Sequence, residues 1–458
     1  MRLKYVHTTL LLPILLAIVW LASCDRNVHE DEFPLPEGTG GLVVGLQTEG
    51  DLPAQDVHFF VFNIAGELAH HEYFDDPRTA ALHVTSLPPS SYTAVAVLNV
   101  GADFMPPSSR AESSLPSITL PEFVKWLKTI SSQYPDLLTG IGNVKVERGE
   151  AARITLTLQS GTEGIRLSTL RLRLTLPEPQ LSDYQPAIKS RATEAGYRLR
   201  CVAELYRTGT ENIILHLPMS PVLQADGTYL VELEADAGTY DLRLWTDYAR
   251  TDAPQSDTYY DTKNLNAVKI TTEPYYTANT DAKDAAYYTQ TGITLPPEGT
   301  DIHIPLQRPL AKYRIIADDV EEYGKLTEEN PAKYPPVEEL TVTVQYDGFF
   351  PSTFSVASGK PTNALTGISF EGTPRRDATE EIQLASDWII VNGTDSFVKV
   401  AIRISDNAGN TISRTAGIRI DYRRGYLTTV HGKFLTAGIA TGGVQIDTEW
   451  EDTYIVEF

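Results

Sequence analysis

The sequence is poor in cysteine and in basic residues. Its 458 residues include 2 cysteines, and 38 Lys and Arg stand against 60 Asp and Glu, a formal net charge of −22. So few cysteines exclude a disulfide framework, and Cys201, on one predicted strand face with Leu199 and Ala203, is predicted to be a buried free thiol. The acidic balance argues against nucleic-acid binding, because phosphate contacts require a basic surface. With 42% hydrophobic and 21% charged residues, the chain is globular and long enough for about three domains.

Enzyme motifs are also missing. The sequence has no Gly-x-Ser-x-Gly, His-Glu-x-x-His, P-loop, helix-opening Gly-x-Gly-x-x-Gly or Cys-x-x-Cys. Among 9 scattered histidines only His70 and His71 are adjacent, and neighbours on a strand point to opposite faces, so we expect exposed edge residues. The acidic run 318–322 lacks the spacing of a calcium loop and is interpreted as a solvated face. We predict no catalytic residue, no metal site and no cofactor, and a hydrolase is the third interpretation.

The N-terminus has the features of an export signal. Arg2 and Lys4 precede an apolar run, Leu10 to Trp20, that is too short to span a bilayer comfortably. The next residues, 21–24, read Leu-Ala-Ser-Cys and resemble a bacterial lipobox, in which the cysteine is acylated. We therefore predict a signal peptide over 1–23, lipidation of Cys24 and an acidic tether over 24–38. An ordinary signal peptide with a coincidental cysteine is the alternative.

Short alternating segments dominate the rest of the chain. Runs such as Val57–Phe62 and Phe397–Ile404 alternate polar and apolar residues and are separated by Gly, Pro and Asp, which is typical of antiparallel sandwiches. One helix is predicted, between Pro121 and Pro135, from apolar residues at spacings of three and four. The predicted fold class is all-β, with tandem antiparallel Greek-key/transthyretin-like β-sandwich modules and one short helix in the N-terminal module.

An internal repeat suggests the domain plan. Tyr92 and Tyr240 each open an alternating strand after a turn, and Gln159 and Gln307 each end one; both pairs are 148 residues apart (240 − 92 and 307 − 159). A tyrosine at such a strand start is expected to bond backbone through its hydroxyl. The predicted boundaries are 39–162 for the N-terminal module, 163–310 for the second module and 311–458 for the C-terminal module.

Three tyrosine pairs, set among Asn and Asp, mark the stretch from 258 to 288. Aromatic rings beside amide and carboxylate groups suit recognition of a sugar or a protein. The alternative is that one ring of each pair faces the core and the other faces solvent, as neighbours on a strand do. The candidate ligand-binding residues are Tyr259, Tyr260, Tyr275, Tyr276, Tyr287 and Tyr288.

Several segments resemble the fimbrillin superfamily, the Mfa-like and FimB-like lipoproteins of type V pili in Bacteroidetes. The C-terminal part, about 190–458, resembles a domain of unknown function common in such lipoproteins, and the N-terminal module matches only in general plan. The resemblance implies a sandwich fold and an outer-membrane location. The acidic residues 30–32 resemble signals for display on the cell surface, and the alternative is that they form a solvated linker. The segments that carry it are Cys24, Gly238–Tyr240, Tyr259–Lys263, Leu306–Lys312, Tyr346–Pro351 and Leu427–Thr436.

The resemblance also bears on the role in an assembly. In polymerising members, an arginine-directed protease releases the first strand, and a strand of a neighbouring subunit replaces it. The first strand here is predicted at about Gly41 to Thr48, and the sequence has no Lys or Arg from Asn27 to Pro77. This favours a subunit that keeps its first strand and its lipid, as an anchor or terminal cap does.

These observations predict a non-enzymatic, lipid-anchored protein of the outer membrane that faces outside. Its predicted role is that of an anchor or accessory subunit of a fimbria-like adhesive assembly. Its predicted partners are the membrane, through the lipid, and fimbrial subunits or other surface proteins. The alternative is a surface glycan-binding lipoprotein that works beside an outer-membrane transporter, with the tyrosine pairs as its site.

Overall fold

The computed structural model describes residues 35–48, 54–77, 84–107, 115–177, 196–376, 380–393, 395–438 and 454–457. In these residues the chain forms twenty-eight strands and two α-helices, which confirms the predicted all-β sandwich class. The chain divides into two compact units, an N-terminal unit that ends at Ile165 and a C-terminal unit that begins at Arg166.

The N-terminal unit is built on one seven-stranded sheet. Its strands are β1 (Gly40–Thr48), β2 (Val57–Phe62), β3 (Leu68–Phe74), β4 (Val84–Leu87), β5 (Ser90–Leu98), β6 (Leu138–Val146) and β7 (Ala151–Ser160). They lie in the order β3-β2-β5-β6-β7-β1-β4, and β1 runs parallel to β7. Apolar side chains from both ends of this sheet, including Leu42, Val57 and Leu156, share one core.

Helix α1 (Leu120–Ile130) gives the sheet of this unit a second apolar layer. The ring of Phe123 on α1 lies 4.7 Å from that of Phe60 on β2, on the face opposite the core side chains Phe59 and Val61. The carboxylate of Glu122 accepts the N–H of Thr119 at the helix start, at 2.9 Å. The helix predicted between Pro121 and Pro135 is therefore confirmed.

The C-terminal unit begins with a sandwich of two four-stranded sheets, β10-β9-β13-β16 and β11-β12-β8-β17. These strands are β8 (Leu167–Thr175), β9 (Tyr197–Arg207), β10 (Ile213–Met219), β11 (Val222–Leu223), β12 (Tyr229–Asp236), β13 (Gly238–Arg250), β16 (Ala286–Leu295) and β17 (Thr300–Pro305). Alternate side chains such as Leu172, Leu205 and Leu242 fill the space between the sheets.

Three more sheets complete the C-terminal unit, in the orders β14-β15-β20-β21, β23-β24-β18-β27-β28 and β22-β19-β25-β26. The strands are β14 (Tyr260–Asp261), β15 (Val268–Ile270), β18 (Leu310–Ala317), β19 (Thr341–Asp347), β20 (Phe350–Ser355), β21 (Lys360–Leu365), β22 (Ser369–Gly372), β23 (Arg375–Arg376), β24 (Ile382–Ile390), β25 (Asp395–Ser405), β26 (Thr411–Arg423), β27 (Tyr426–Gly432) and β28 (Tyr454–Glu457). One large core lies among them.

Sheet β10-β9-β13-β16 is buried on both faces. Leu205 and Leu242 point into the core of the first sandwich, whereas Val202 and Trp245 belong to the large core of the other sheets. The position 310, predicted as a module boundary, therefore lies between two parts of one unit that share a central sheet.

A second helix, α2 (Val320–Glu329), forms where the sequence suggested only a solvated acidic face. Asp319, just before the helix, is fully buried and accepts the N–H groups of Leu435 and Thr436 at 3.2 and 2.7 Å. Tyr323 anchors the helix in the large core. The interpretation of this run as a solvated face is therefore wrong at Asp319, because the loop after β27 supplies partners that local sequence does not reveal. Asp318, Glu321 and Glu322 are exposed, as expected.

One parallel pairing recurs three times along the chain. It joins β1 to β7, β8 to β17 and β18 to β27, and in each case an early strand pairs with a later one of the same stretch. The turns before β7 and β17 contain Gly149 and Gly299, whose φ angles of +75° and +85° favour glycine. This recurrence supports the predicted scheme of three modules, which stays a proposal.

The tyrosines of the repeat have the predicted contact. Tyr92 donates its hydroxyl to the carbonyl of Pro88 at 2.8 Å, and Tyr240 donates to the carbonyl of Asp236 at 2.6 Å. Each hydroxyl thus reaches the backbone four residues upstream and ties the strand start to the preceding turn. The expectation for both tyrosines is confirmed.

Candidate interaction sites

The predicted lipid anchor lies outside the described residues. The signal peptide over 1–23, Cys24 and the tether as far as Pro34 precede Leu35, where the description begins. Among the residues that are described, no helix is long and apolar enough to cross a membrane. Lipidation of Cys24 therefore stays a prediction.

The first strand is where the sequence predicts it, and it is paired on both sides. β1 runs parallel to β7, from Gly41 opposite Ala151 to Thr48 opposite Leu158, and antiparallel to β4. At its start, a Cβ on Gly40 would come within 2.0 Å of the carbonyl oxygen of Glu147, so only glycine fits this close approach. The chain of the N-terminal unit therefore supplies this strand to its own sheet.

Strand β1 is held by backbone pairing and apolar burial. Its sequence contains no charged residue, and Leu42, Val43 and Val44 are buried. Backbone ladders depend little on side-chain identity, so another strand with a similar apolar pattern could occupy this position.

The six candidate tyrosines are placed very differently. Tyr275 is 82% exposed and Tyr288 is half-buried. The other four lie in the large core of the C-terminal unit; they are Tyr259, Tyr260, Tyr276 and Tyr287. No single exposed surface brings these six rings together, and their role in ligand binding stays a prediction.

The first pair fixes the segment to the central sheet. The ring of Tyr260 lies 5.2 Å from that of Trp245 on β13, and its hydroxyl donates to the carbonyl of Lys283 at 2.6 Å. The hydroxyl of Tyr259 donates to that of Tyr197 at 2.7 Å. Both tyrosines of this pair face protein, unlike the alternation expected for neighbours on a strand, because the segment here is mostly irregular between short strands.

Tyr276 of the second pair belongs to a buried network of charged side chains. The ammonium of Lys283 donates to Asp387 at 2.7 Å and to the hydroxyl of Tyr276 at 2.8 Å, and both charged side chains are almost completely buried. The same carboxylate accepts the hydroxyls of Tyr276 and Tyr346 at 2.5 and 2.7 Å. Its remaining contact is the N–H of Trp388 at 2.8 Å. Asp387 is therefore a fully hydrogen-bonded buried carboxylate.

The pKa values in this network follow from burial. Burial lowers the pKa of Lys283, and the charge of Asp387 opposes this. Burial and the same carboxylate raise the pKa of Tyr276 well above its usual range, so its hydroxyl remains a donor. The network acts as a structural junction between residues that are 104 positions apart in the chain.

The third pair, Tyr287 and Tyr288, lies at the C-terminal end of the aromatic segment 258–288. Tyr287 accepts a hydrogen bond from Arg424 at 3.2 Å and donates to Gln307 at 3.3 Å, while Tyr288 donates to Gln290 at 2.6 Å. Arg424 also donates to the carbonyl of Gly359 at 2.9 Å. The aromatic segment thus connects the two halves of the C-terminal unit.

A second buried ion group lies on the central sheet, across β9 and β13. The guanidinium of Arg200 binds Asp247 through two hydrogen bonds of 2.8 and 2.7 Å and Asp257 through one of 2.8 Å. Burial alone lowers the pKa of Arg200, but hydrogen bonds and charge from the two carboxylates raise it above its ordinary value. Sequence analysis missed this group, because nothing local marks Arg200 and Asp247 as cross-strand partners.

Two histidines, His58 and His71, form a polar cluster on the helix side of the N-terminal unit. His58 bonds His71 at 2.9 Å and the carbonyl of Gly101 at 2.9 Å. Burial, with the nearby His58, lowers the pKa of His71 to about 4. His70 and His71 are half-buried rather than exposed, since His71 stacks on Phe60 at 4.6 Å. Across the described part of the chain, no group of three or more His, Cys, Asp or Glu is arranged to hold a metal ion.

Cys201 is the other reactive residue type that the sequence singled out. It is a free thiol with no exposed surface in the core of the first sandwich. Burial raises its pKa to about 12, so the thiolate is not formed at neutral pH. The prediction of an inert buried thiol is confirmed.

Comparisons with known proteins point to one family and one group of structures. A model of a family of unknown function, DUF6562, matches residues 162–457, starting close to the boundary between the units. A search of curated proteins found no match. The match confirms that the C-terminal part resembles a domain of unknown function.

Similar solved structures include the fimbrial anchor protein Mfa2 from Porphyromonas gingivalis, at 11% identity and a TM-score of 0.28, over 57% of this chain and 90% of that one. The tip fimbrial protein Mfa3 from the same organism, with a C-terminal truncation, has 12% identity and a TM-score of 0.30, over 64% and 99%. A candidate cell adhesion protein from Bacteroides ovatus has 13% identity and a TM-score of 0.35, over 64% and 98%. Two of these three proteins are named as Mfa fimbrial proteins, and the third is named as a cell adhesion protein.

Proposed function

The chain belongs to the family of unknown function DUF6562, and we propose that it is a non-enzymatic lipoprotein of the outer membrane that faces outside. In this proposal it acts as an anchor or accessory subunit of a fimbria-like adhesive assembly. Fimbrial subunits are its partners, and Cys24 carries the lipid.

The observation that carries the proposal is the state of the first strand. β1 is paired with β7 and β4 in its own unit, and the sequence offers no Lys or Arg from Asn27 to Pro77 at which a basic-specific protease could release it. A subunit that keeps this strand also keeps whatever is attached before it. That is the property required of an anchor, because an anchor must stay attached to the membrane.

Partner capture in this proposal uses strand addition at a sheet edge. An added strand gains a row of backbone hydrogen bonds, which is very stable once formed and tolerant of sequence. In the described part of the N-terminal sheet the edges are β3 and β4, and β4 lies directly beside β1. Release of β1 would open a further place between β4 and β7.

The lipid anchor is tested by Cys24→Ala. We expect the variant to fold but to leave the membrane fraction, because stable attachment needs buried acyl chains. Membrane fractionation after a high-salt wash measures this, with Cys201→Ala as a matched cysteine control that stays attached. Attachment of Cys24→Ala after the wash would contradict the lipoprotein assignment.

Strand retention is tested by Glu49→Arg, which places a cleavage site just after β1. The variant and its parent both carry Arg26→Gln, which removes the arginine beside Cys24. An arginine-specific protease should then release the Glu49→Arg chain from membranes and allow it to accept a donor strand, whereas the chain without Glu49→Arg stays anchored. Ala65→Arg, in the turn between β2 and β3, is the control, because cleavage there leaves β1 covalently joined to β2. A cut Glu49→Arg chain that stays closed and monomeric would argue against the fimbrial role.

The glycan-binding alternative is separated by the two tyrosines whose rings reach solvent. Tyr275→Ser and Tyr288→Ser should leave partner capture intact, because strand addition uses backbone. Loss of a polysaccharide ligand in this double variant, with partner capture unchanged, would instead favour the alternative. Tyr276 and Tyr287 are unsuitable for this test, since both are buried.

A further inference from the structure

The hairpin of β25 and β26 is basic although the chain is strongly acidic. Residues 395–424 contain 6 Lys and Arg and 3 Asp, a net charge of +3 (6 − 3), against −22 for the whole chain. Five of the cations are exposed, and we call their surface the basic face. It consists of Lys399 and Arg403 on β25 and Arg414, Arg419 and Arg423 on β26.

The cations share one face because both strands alternate. Val398, Val400 and Ile402 on β25 are buried in the large core, so Lys399 and Arg403 point the other way. A bulge after Val400 shifts the register, and it leaves Arg414 still opposite Arg403. The basic face is therefore the solvent side of the sheet β22-β19-β25-β26.

Two pairs of like charges stand directly opposite each other on this face. The register places Arg403 opposite Arg414 and Lys399 opposite Arg419. Like charges at directly opposed positions destabilise a sheet. Asp347 on β19 lies opposite Lys399, and Glu371 on β22 accepts the hydroxyl of Thr343, which lies opposite Arg403. Each of these two rows still has an excess of one positive charge, which suits a ligand with negative groups.

The exposed arginines of another sheet show the contrast. On β8, Arg171 pairs with Glu232 at 2.8 Å and Arg173 pairs with Asp301 at 2.9 Å. On the basic face, Arg419 pairs with Asp421 at 2.8 Å.

The remaining cations of the two opposed pairs have no such partner. No carboxylate of the described residues forms an ion pair with Lys399, Arg403 or Arg414. Arg403 only reaches the hydroxyl of Thr343, at 3.4 Å. These three cations are available to an anion from outside.

We propose that the basic face binds an anionic polysaccharide. The two like-charged pairs are four residues apart on β25, about 13 Å along the strand, so one extended ligand with repeated negative groups can meet both. Thr343 and Gln345 on β19 lie beside Arg403 and Ala401 and offer hydrogen bonds to hydroxyl groups. Arginine forks suit carboxylate and sulfate groups.

The chemistry of the face favours a polysaccharide over other acidic partners. A bilayer would require several apolar side chains that insert, but on this face Phe397 is only 49% exposed and the guanidinium of Arg419 lies 3.9 Å from its ring. A stable protein interface needs buried aromatic or apolar anchors at its centre, and the centre of this face is charged and polar. This site goes beyond the proposed role in assembly and does not depend on it.

Heparin, a sulfated polysaccharide, is the probe for the test. We expect the purified full chain to bind heparin at low salt and to release it as salt rises, whereas uncharged dextran is not bound. Arg403→Gln/Arg414→Gln should weaken heparin binding by about tenfold, since two charge contacts of modest strength are lost. The thermal midpoint of this variant should equal or exceed that of the parent, because a repulsive pair is removed.

The matched control is Arg171→Gln/Arg173→Gln, which removes the same charge from another exposed sheet face. We expect its heparin binding to equal that of the parent. Four results would overturn the proposal: no binding of heparin at low salt, equal losses in the two double variants, equal binding of dextran, or tighter binding to vesicles of anionic phospholipid than to heparin.

Discussion

The two units of the chain hold their strands by different means. In the N-terminal unit, β1 contains no charged residue, and ion pairs such as His70–Glu72 and Lys145–Glu147 have side chains that are 32% to 53% exposed. In the C-terminal unit, three ion pairs have side chains that are all less than one-tenth exposed; they are Arg200–Asp247, Lys283–Asp387 and Arg308–Asp284.

This difference decides which parts can be exchanged. A strand that is held by backbone pairing and apolar burial can be replaced by another strand of similar pattern. A buried ion pair is specific, because the loss of one partner leaves a charge without compensation in a medium that solvates it poorly. We therefore expect that another strand can replace β1 in the N-terminal unit, whereas the strands joined by buried ion pairs in the C-terminal unit cannot be exchanged.

The largest effect is expected for Asp387→Ala. This change removes the acceptor of Lys283, Tyr276 and Tyr346, and we expect a loss of about 3–5 kcal/mol in the free energy of unfolding. Denaturant titration should show the loss in the transition of the C-terminal unit only. The control is Asp347→Ala, an exposed carboxylate, which should change little. Equal losses in the two variants would show that the buried carboxylate stabilises the fold no more than an exposed one does.

A substitution in the N-terminal unit tests whether apolar burial holds β1 in its sheet. Leu42→Ala on β1 should cost about 2–4 kcal/mol, because a buried apolar side chain is lost from the core. The exposed Gln47→Ala on the same strand is the control, with an expected change below about 0.5 kcal/mol. Both are measured by denaturant titration, and a shift in the C-terminal transition would contradict the independence of the two cores.

Acid should weaken the N-terminal unit. The pKa of His71 is lowered from 6.5 to about 4 in the folded chain, so protonation favours the unfolded chain. The stabilisation is complete above pH 6.5 and is lost as the pH falls from 6.5 towards about 4, by about 1–2 kcal/mol after allowance for partial exposure. Unfolding at pH 7 and pH 4.5 measures this, and His71→Gln should flatten the dependence. His70→Gln is the control and should retain it.

An effect of similar size is expected within one pair of adjacent tyrosines. Tyr276→Phe removes a hydroxyl that bonds both Lys283 and Asp387, and we expect a loss of about 1–3 kcal/mol. Tyr275→Phe, at the exposed neighbour, should change stability by less than about 0.5 kcal/mol. Thermal unfolding of the two variants compares them directly. Equal values would mean that the hydroxyl of Tyr276 adds nothing beyond the packing of its ring.

The features that sequence predicted are those that depend on near neighbours. The period of two in Phe397–Ile404 predicts a strand, and the spacing of apolar residues predicts α1. The turn before Tyr240 predicts a hydroxyl that bonds the backbone. The position of β1 and the burial of Cys201 follow from the same local periodicity. These patterns arise within one strand or one turn, so the residues themselves contain them.

Tertiary structure decided which distant side chains meet. The helix α2 forms where Asp319 finds backbone donors more than a hundred residues later, and Lys283 meets Asp387 across 104 positions. Arg403 faces Arg414 because a bulge sets the register of β25 against β26. Such meetings depend on sheet order and register, which are set by packing of the whole unit; the composition and spacing along the chain contain no local trace of them.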